Sequence, residues 1–206
     1  MLPAGFQIRP CRPEDEAAAY QVCLTTGDGG RDGTHLYRDD PRALGNIFVG
    51  PYIHLEPELA FVLEDPQGVC GYVLGALDSR QFYRAFAEEW LAPLRRQHPE
   101  PTGDPAAWTP TQKLYHQYYH PDVVCPEPYA EYPSHLHIDL MPRAQGRGLG
   151  RELMQVLLSA LTARRTPGVH LGMAPENARA ERFYKKLGFY ELLRTSDTLY
   201  LARRLP

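Results

Sequence analysis

In HIDLMPRAQGRGLGRELMQVLLSAL, residues 137–161, three glycines stand where an alternating run hands over to an apolar-periodic one. The alternation predicts a strand over 134–141, with His135, His137 and Asp139 on one face. Leu149, Leu153, Val156, Leu157 and Ala160 recur at helical spacing and predict a helix over about 147–165. Gly146, Gly148 and Gly150 let the backbone between them approach a ligand closely. The helix start adds unpaired N–H groups and a positive dipole end. Such a turn is an anion cradle suited to phosphate, and Arg147 and Arg151 add charge at its mouth. The Walker pattern GxxxxGK[ST] is absent, and Gly146 to Gly150 read GxGxG instead of the dinucleotide GxGxxG. The bland alternative is a glycine-rich turn that binds nothing.

The flanking sequence supplies the rest of a sheet. Strands are expected at 5–12, 58–65, 68–78, 168–174, 188–194 and 198–205, the second and third forming a hairpin over Asp65-Pro66-Gln67-Gly68. Helices are expected at about 14–27, 41–49 and 177–187. Late strand–helix alternation with hairpins elsewhere predicts an α/β (α+β) chain, a mixed sheet with helices on both faces. Residues 80–133 differ in texture. They begin with the helical stripe Phe82, Phe86, Trp90 and Leu94, then become rich in proline and aromatics. They read as an ordered insertion in one domain spanning 1–206, and such insertions often line binding sites.

Composition narrows the function classes. The net charge of −3 argues against a general nucleic-acid partner. No window approaches the roughly 20 apolar residues of a membrane helix, so no membrane partner is expected. Cys11, Cys23, Cys70 and Cys125 form no CxxC pair and read as reduced thiols, which points to a cytoplasmic protein.

Two segments together carry a family signature. From Gln145 the loop fits Q/R-x-x-G-x-G/A, with Gly148 and Gly150 at the glycine positions. About thirty residues later comes ENARAERFYKKLGF, residues 176–189, with Asn177, Ala180, Phe183, Tyr184, Gly188 and Phe189. The pair resembles the two signature motifs of the GNAT superfamily of N-acetyltransferases. A closer resemblance runs through GPYIHLEPELAFVLEDPQGVCGYVLGALD, TGDGGRDGT, YPSHLHIDLMP and GVHL. These are similar to the acetyltransferase-like C-terminal domain of the O-GlcNAcases and its free-standing bacterial relatives. The animal domains of that group have a degraded glycine loop, whereas the loop here is intact. The glycosidase activity of O-GlcNAcase belongs to another domain and is not carried over.

The resemblance implies a GNAT fold whose strands 134–141 and 168–174 splay apart around acetyl-CoA. It implies pantetheine pairing at Leu140 and Met141, and a thioester-oxygen donor at one of their N–H groups. It implies pyrophosphate held by N–H groups from Gln145 through Gly146, Arg147, Gly148, Leu149 and Gly150 to Arg151. It places Asn177, Ala180, Phe183 and Tyr184 beside the cofactor and makes Tyr184 the proton donor to the leaving thiolate. The reaction implied is direct acetyl transfer to an amine acceptor, small molecule or peptide, and a homodimer is allowed by analogy.

Other roles are read from the residues themselves. Asp139 and His137 are the candidate bases, against the alternative that the polar strand face hydrogen-bonds the insertion. Asn177 also suits a helix cap, and Tyr184 also suits the core. Asp28 and Asp32 suit a cationic acceptor, although turn stabilisation explains them more simply. His116 and His120 lie four apart, and with His135, His137 and Asp139 would make only a loosely spaced zinc set, so no metal is expected. The rival to an enzyme is a catalytically silent module that binds acetyl-CoA or a peptide.

Overall fold

A computed structural model describes residues 2–206. The strands are β1 (Gln7–Pro10), β2 (Ala60–Asp65), β3 (Gly68–Ala76), β4 (Ser134–Leu140), β5 (Gly168–Met173), β6 (Tyr190–Arg194) and β7 (Leu199–Arg204). They form one mixed sheet in the order β1-β2-β3-β4-β5-β7-β6. Every neighbouring pair is antiparallel except β4 and β5.

The helices are α1 (Glu16–Thr26), α2 (Ala43–Phe48), α3 (Gly50–Leu55), α4 (Ser79–Ala85), α5 (Leu91–Gln97), α6 (Pro110–Tyr119), α7 (Leu149–Ala163) and α8 (Ala178–Lys186). They cover both sheet faces, as expected, over two cores. One core joins Tyr52, Tyr72, Leu74 and Phe82 beneath α1 to α6. The other joins Val73, Leu136, Leu153, Leu157, Leu171 and Tyr184 beneath α7 and α8. Period-two alternation divides β4 between them: odd residues face the first core, even residues the second.

Four expectations need correction. The second helix does not end at Val49 but restarts as α3. A Cβ at Gly50 would lie 2.3 Å from the Tyr20 hydroxyl and 2.4 Å from the Trp90 ring, so glycine lets the chain pass between them. The stripe from Phe82 to Leu94 is not one regular helix, because a π-helical turn at Phe86–Trp90 separates α4 from α5. Trp90 there donates Nε1–H to the Asn46 carbonyl at 2.7 Å. The first strand is shorter than 5–12. Finally α7 begins at Leu149, not Arg147, because Gly148 adopts φ +77° as its cap.

The segment between β3 and β4 packs on the first core through Phe82, Phe86, Leu91, Leu114 and Tyr118, all buried. A residue chain ties it to the sheet. Ser79 donates its N–H and hydroxyl to the Pro133 carbonyl at 2.8 and 2.7 Å.

Candidate active site

β4 and β5 pair only at Ser134–Val169 and His135–His170. Beyond that point the strands diverge. β4 remains paired to β3 as far as Gly71–Leu140, and β5 to β7 as far as Met173–Leu199. The splay therefore opens between Leu136–Leu140 and Leu171–Met173, where the resemblance implies it.

Register decides which backbone groups face the gap. Met141 N–H donates to the Cys70 carbonyl at 2.8 Å. Alternation on an antiparallel strand then sends the N–H and C=O of Asp139, His137 and His135 to β3 as well. Ile138 and Leu140 turn theirs toward β5. The Leu140 carbonyl accepts from Gln145 Nε2 at 2.8 Å, leaving the Leu140 N–H to the gap. Of the two expected thioester donors, Met141 is thus already engaged and Leu140 is the one available.

The glycine loop is similarly selective. Gln145 N–H donates to the Pro142 carbonyl and Arg151 N–H to Gly148. Neither end of the expected pyrophosphate set is free. Between them, the N–H groups of Gly146, Arg147, Gly148, Leu149 and Gly150 have no acceptor among the described residues. Gly146 and Gly148 take left-handed φ of +74° and +77°, which bends this run into a cradle. Gly150 serves closeness instead, since a Cβ there would approach the Phe183 ring to 3.3 Å. Arg147 and Arg151 are exposed at the rim.

On the first-core side of β4, Asp139 is the central group. It pairs with Tyr72 across the β3–β4 ladder and accepts the Tyr72 hydroxyl at 2.6 Å. Loss of hydration raises its pKa to about 6, while the Tyr72 and Thr26 hydroxyls pull it part of the way back. Tyr184, on α8, is buried, and its hydroxyl has no hydrogen-bond partner among the described residues. Burial, and then the charge of Asp139, hold its proton on more tightly than usual.

The three polar residues of β4 do different things. His135 is fully engaged: its Nε2 meets the Tyr52 hydroxyl at 2.8 Å and its Nδ1 the Ser79 Oγ at 2.7 Å. Its ring stacks on Tyr83 at 5.0 Å. His135 thus links α3 and the start of α4 to the sheet through Tyr52 and Ser79. His137 makes no hydrogen bond among the described residues and lies edge-on to Phe48 and Tyr52. Desolvation lowers its pKa to about 4, so it is a neutral imidazole at physiological pH and a weaker base than Asp139. Among β4 side chains, only Asp139 has a pKa raised into the range suited to proton transfer near neutrality.

Asn177 caps α8, its side chain accepting the Ala180 N–H at 3.0 Å. Asp32 accepts the Thr34 N–H and hydroxyl at 2.9 and 2.6 Å, and Asp28 pairs with Arg31. Both acids stabilise their own turn. His116 and His120 do not reach the strand histidines but gather around Glu100. Tyr72, the partner of Asp139, is absent from the sequence-based set. Its signal is a tyrosine inside an apolar strand, which becomes meaningful only once the β3–β4 register is known.

The chain matches the acetyltransferase (GNAT) family over residues 33–189. It belongs to the GNAT acetyltransferase family. Within that family it is 30% identical over 206 residues to Protein O-GlcNAcase of Rattus norvegicus, a match covering 97% of this chain and 22% of the rat protein. The Mus musculus protein gives the same identity and coverage. The chain thus spans less than a quarter of those relatives' length. The crystal structure of SsHAT superposes with TM-score 0.89 at 40% identity, covering 97% of this chain and 98% of that one. The GNAT fold is also shared with yncA, a putative acetyltransferase of Salmonella typhimurium solved with its cofactor acetyl-CoA. That likeness has TM-score 0.56 at 15% identity, over 98% of this chain and 95% of yncA. No helix among the described residues is long and apolar enough to cross a membrane.

Proposed function

We propose that this GNAT protein is an acetyl-CoA-dependent N-acetyltransferase that transfers acetyl directly to an amine acceptor. The observation that carries this reading is the run of five acceptor-free N–H groups from Gly146 to Gly150, set at the end of a strand that has just left its parallel neighbour. Gly146, Arg147 and Gly148 are exposed, so these donors are open to an incoming anion at a helix start, where the dipole favours negative charge. A pyrophosphate fits this donor set, and the Ile138 and Leu140 backbone edges fit the amides of a pantetheine arm. Acetyl-CoA, when bound, supplies an activated acetyl thioester.

The protein's own groups perform the rest. The Leu140 N–H is a fixed donor aimed into the gap, suited to an oxygen that gains negative charge. Asp139 is ionised above about pH 6 and takes the proton that the amine loses as its nitrogen forms the new C–N bond. The Tyr184 hydroxyl, kept protonated by burial, gives its proton to the departing sulfur. Its proton is restored from solvent, so one amine proton leaves and one thiol proton appears. None of the four cysteines lies in either motif, and the direct transfer proposed here uses no covalent enzyme intermediate.

Release of free CoA thiol from acetyl-CoA, assayed against a panel of small amines, amino sugars and peptides, tests the reading. Acceptor-dependent release that Asp139→Asn abolishes is the expected result. Acetyl-CoA binding with no release for any acceptor, in wild type and variant alike, would favour the silent binding module.

A further inference from the structure

The segment after β3 holds a side-chain cluster that the proposed transfer reaction does not use. His116 lies in the last turn of α6 and His120 is the residue just past its end, and their ring centroids are 4.5 Å apart. Glu100 reaches them from the loop after α5. Its Oε1 lies 2.6 Å from His120 Nε2 and 3.5 Å from His116 Nδ1. The three candidate ligand atoms all fall within 4.8 Å of one another. Tetrahedral ligands about 2.0–2.1 Å from a zinc ion stand about 3.3 Å apart, so small side-chain rotations would close this set.

A second observation shows that the cluster is incomplete as it stands. His116 Nδ1 is buried and has no hydrogen-bond partner among the described residues. At 3.5 Å the Glu100 oxygen does not satisfy it. An unpaired buried polar atom is costly, and a cation between the two groups would remove that cost. The frame is also fixed in advance. Tyr119 donates its hydroxyl to the carbonyls of Arg95 and His98, at 2.8 and 3.0 Å, which pins the loop carrying Glu100 against α6. The Trp108 ring lies 5.0 Å from the His116 ring, tilted by 48°.

We propose that Glu100, His116 and His120 form a binding site for one first-row divalent cation of the zinc class. Two imidazoles and one carboxylate are the donor set such borderline ions prefer over Mg2+ or Ca2+. The fourth position is left to water. The ion replaces the proton now shared between His120 and Glu100 and ties the loop after α5 to α6.

The test uses the full chain, stripped with a chelator and titrated with Zn2+ by calorimetry. One equivalent should bind, and Zn2+ should raise the thermal midpoint. Glu100→Gln, which preserves shape at an exposed position, should weaken binding about tenfold or more. Cu2+ should quench the fluorescence of Trp108 in the wild type, and His120→Ala should remove that quenching. Far-UV circular dichroism of each variant checks that the fold is retained. Absence of Zn2+ binding in the wild type would overturn the site. So would Zn2+ affinity unchanged in both folded variants, which would assign the ion to other groups.

Discussion

Gly148→Ala separates the two jobs of the glycine loop, shaping the backbone and holding an anion. Gly148 has φ +77°, and a Cβ built there meets nothing within 4 Å. Steric clash therefore contributes nothing, and the cost is that of holding an L-residue left-handed, about 1–2 kcal/mol. For a chain of this size that lowers the thermal midpoint by roughly 2–8 °C. Gly103, at φ +88° and likewise with nothing within 4 Å, is a matched control in the loop after α5. Gly103→Ala should lose a similar amount of stability. Only at Gly148 does relief of the strain turn donors away from a bound phosphate. Each charge-assisted hydrogen bond lost costs about 1.5–3 kcal/mol, a loss of about tenfold to over a hundredfold in Kd. Thermal melts and acetyl-CoA calorimetry on both variants provide the assay. Equal acetyl-CoA affinity in Gly148→Ala and Gly103→Ala, with both destabilised alike, would refute the role of the loop.

Other perturbations probe the chemistry and the frame. The acetyl-transfer rate should rise with pH through about 6 as Asp139 ionises, read from a kcat/KM profile. Tyr72→Phe removes a hydrogen bond that favours the carboxylate, so that limb should move to higher pH. For stability the sign is opposite: a raised folded pKa makes the Asp139 contribution complete below about pH 4, and it is lost as pH rises through about 6. Urea melts of Asp139→Asn should lack that decline. Tyr184→Phe should lower kcat by about a hundredfold or more with acetyl-CoA affinity little changed. A KM effect alone would instead place Tyr184 in binding. Leu157 is fully buried, and a Cβ on Gly75 would lie 2.8 Å from it. Leu157→Ala should cost about 2–5 kcal/mol, and Gly75→Ala should recover part of that loss in the double variant.

What is legible in the sequence is what local chemistry dictates. The glycine loop can be read because left-handed φ and close approach select glycine at Gly146, Gly148 and Gly150. The hairpin over Asp65 to Gly68 and the stripe of α7 follow from turn residues and periodicity in the same way. What is not legible depends on pairings far apart in the chain. The partnership of Tyr72 with Asp139 spans 67 residues and requires a specific β3–β4 register. The same register decides that Leu140, not Met141, offers its N–H to the splay. Helix α3 is hidden because Gly50-Pro51 reads as a break, whereas tertiary contact with Tyr20 and Trp90 makes that glycine a close-packing site. His135 shares the strand face of His137 and Asp139 in the sequence, yet Ser79 and Tyr52, brought in by other elements, make it a docking group.

Calorimetric titration of the purified protein with acetyl-CoA, with ATP as the comparison, tests the central claim most directly. Saturable binding of acetyl-CoA at one site, with ATP bound far more weakly, is the predicted result. It would mean that the pantetheine edge of β4 and the N–H cradle act together. No binding of acetyl-CoA, or equal binding of ATP, would contradict the cofactor site.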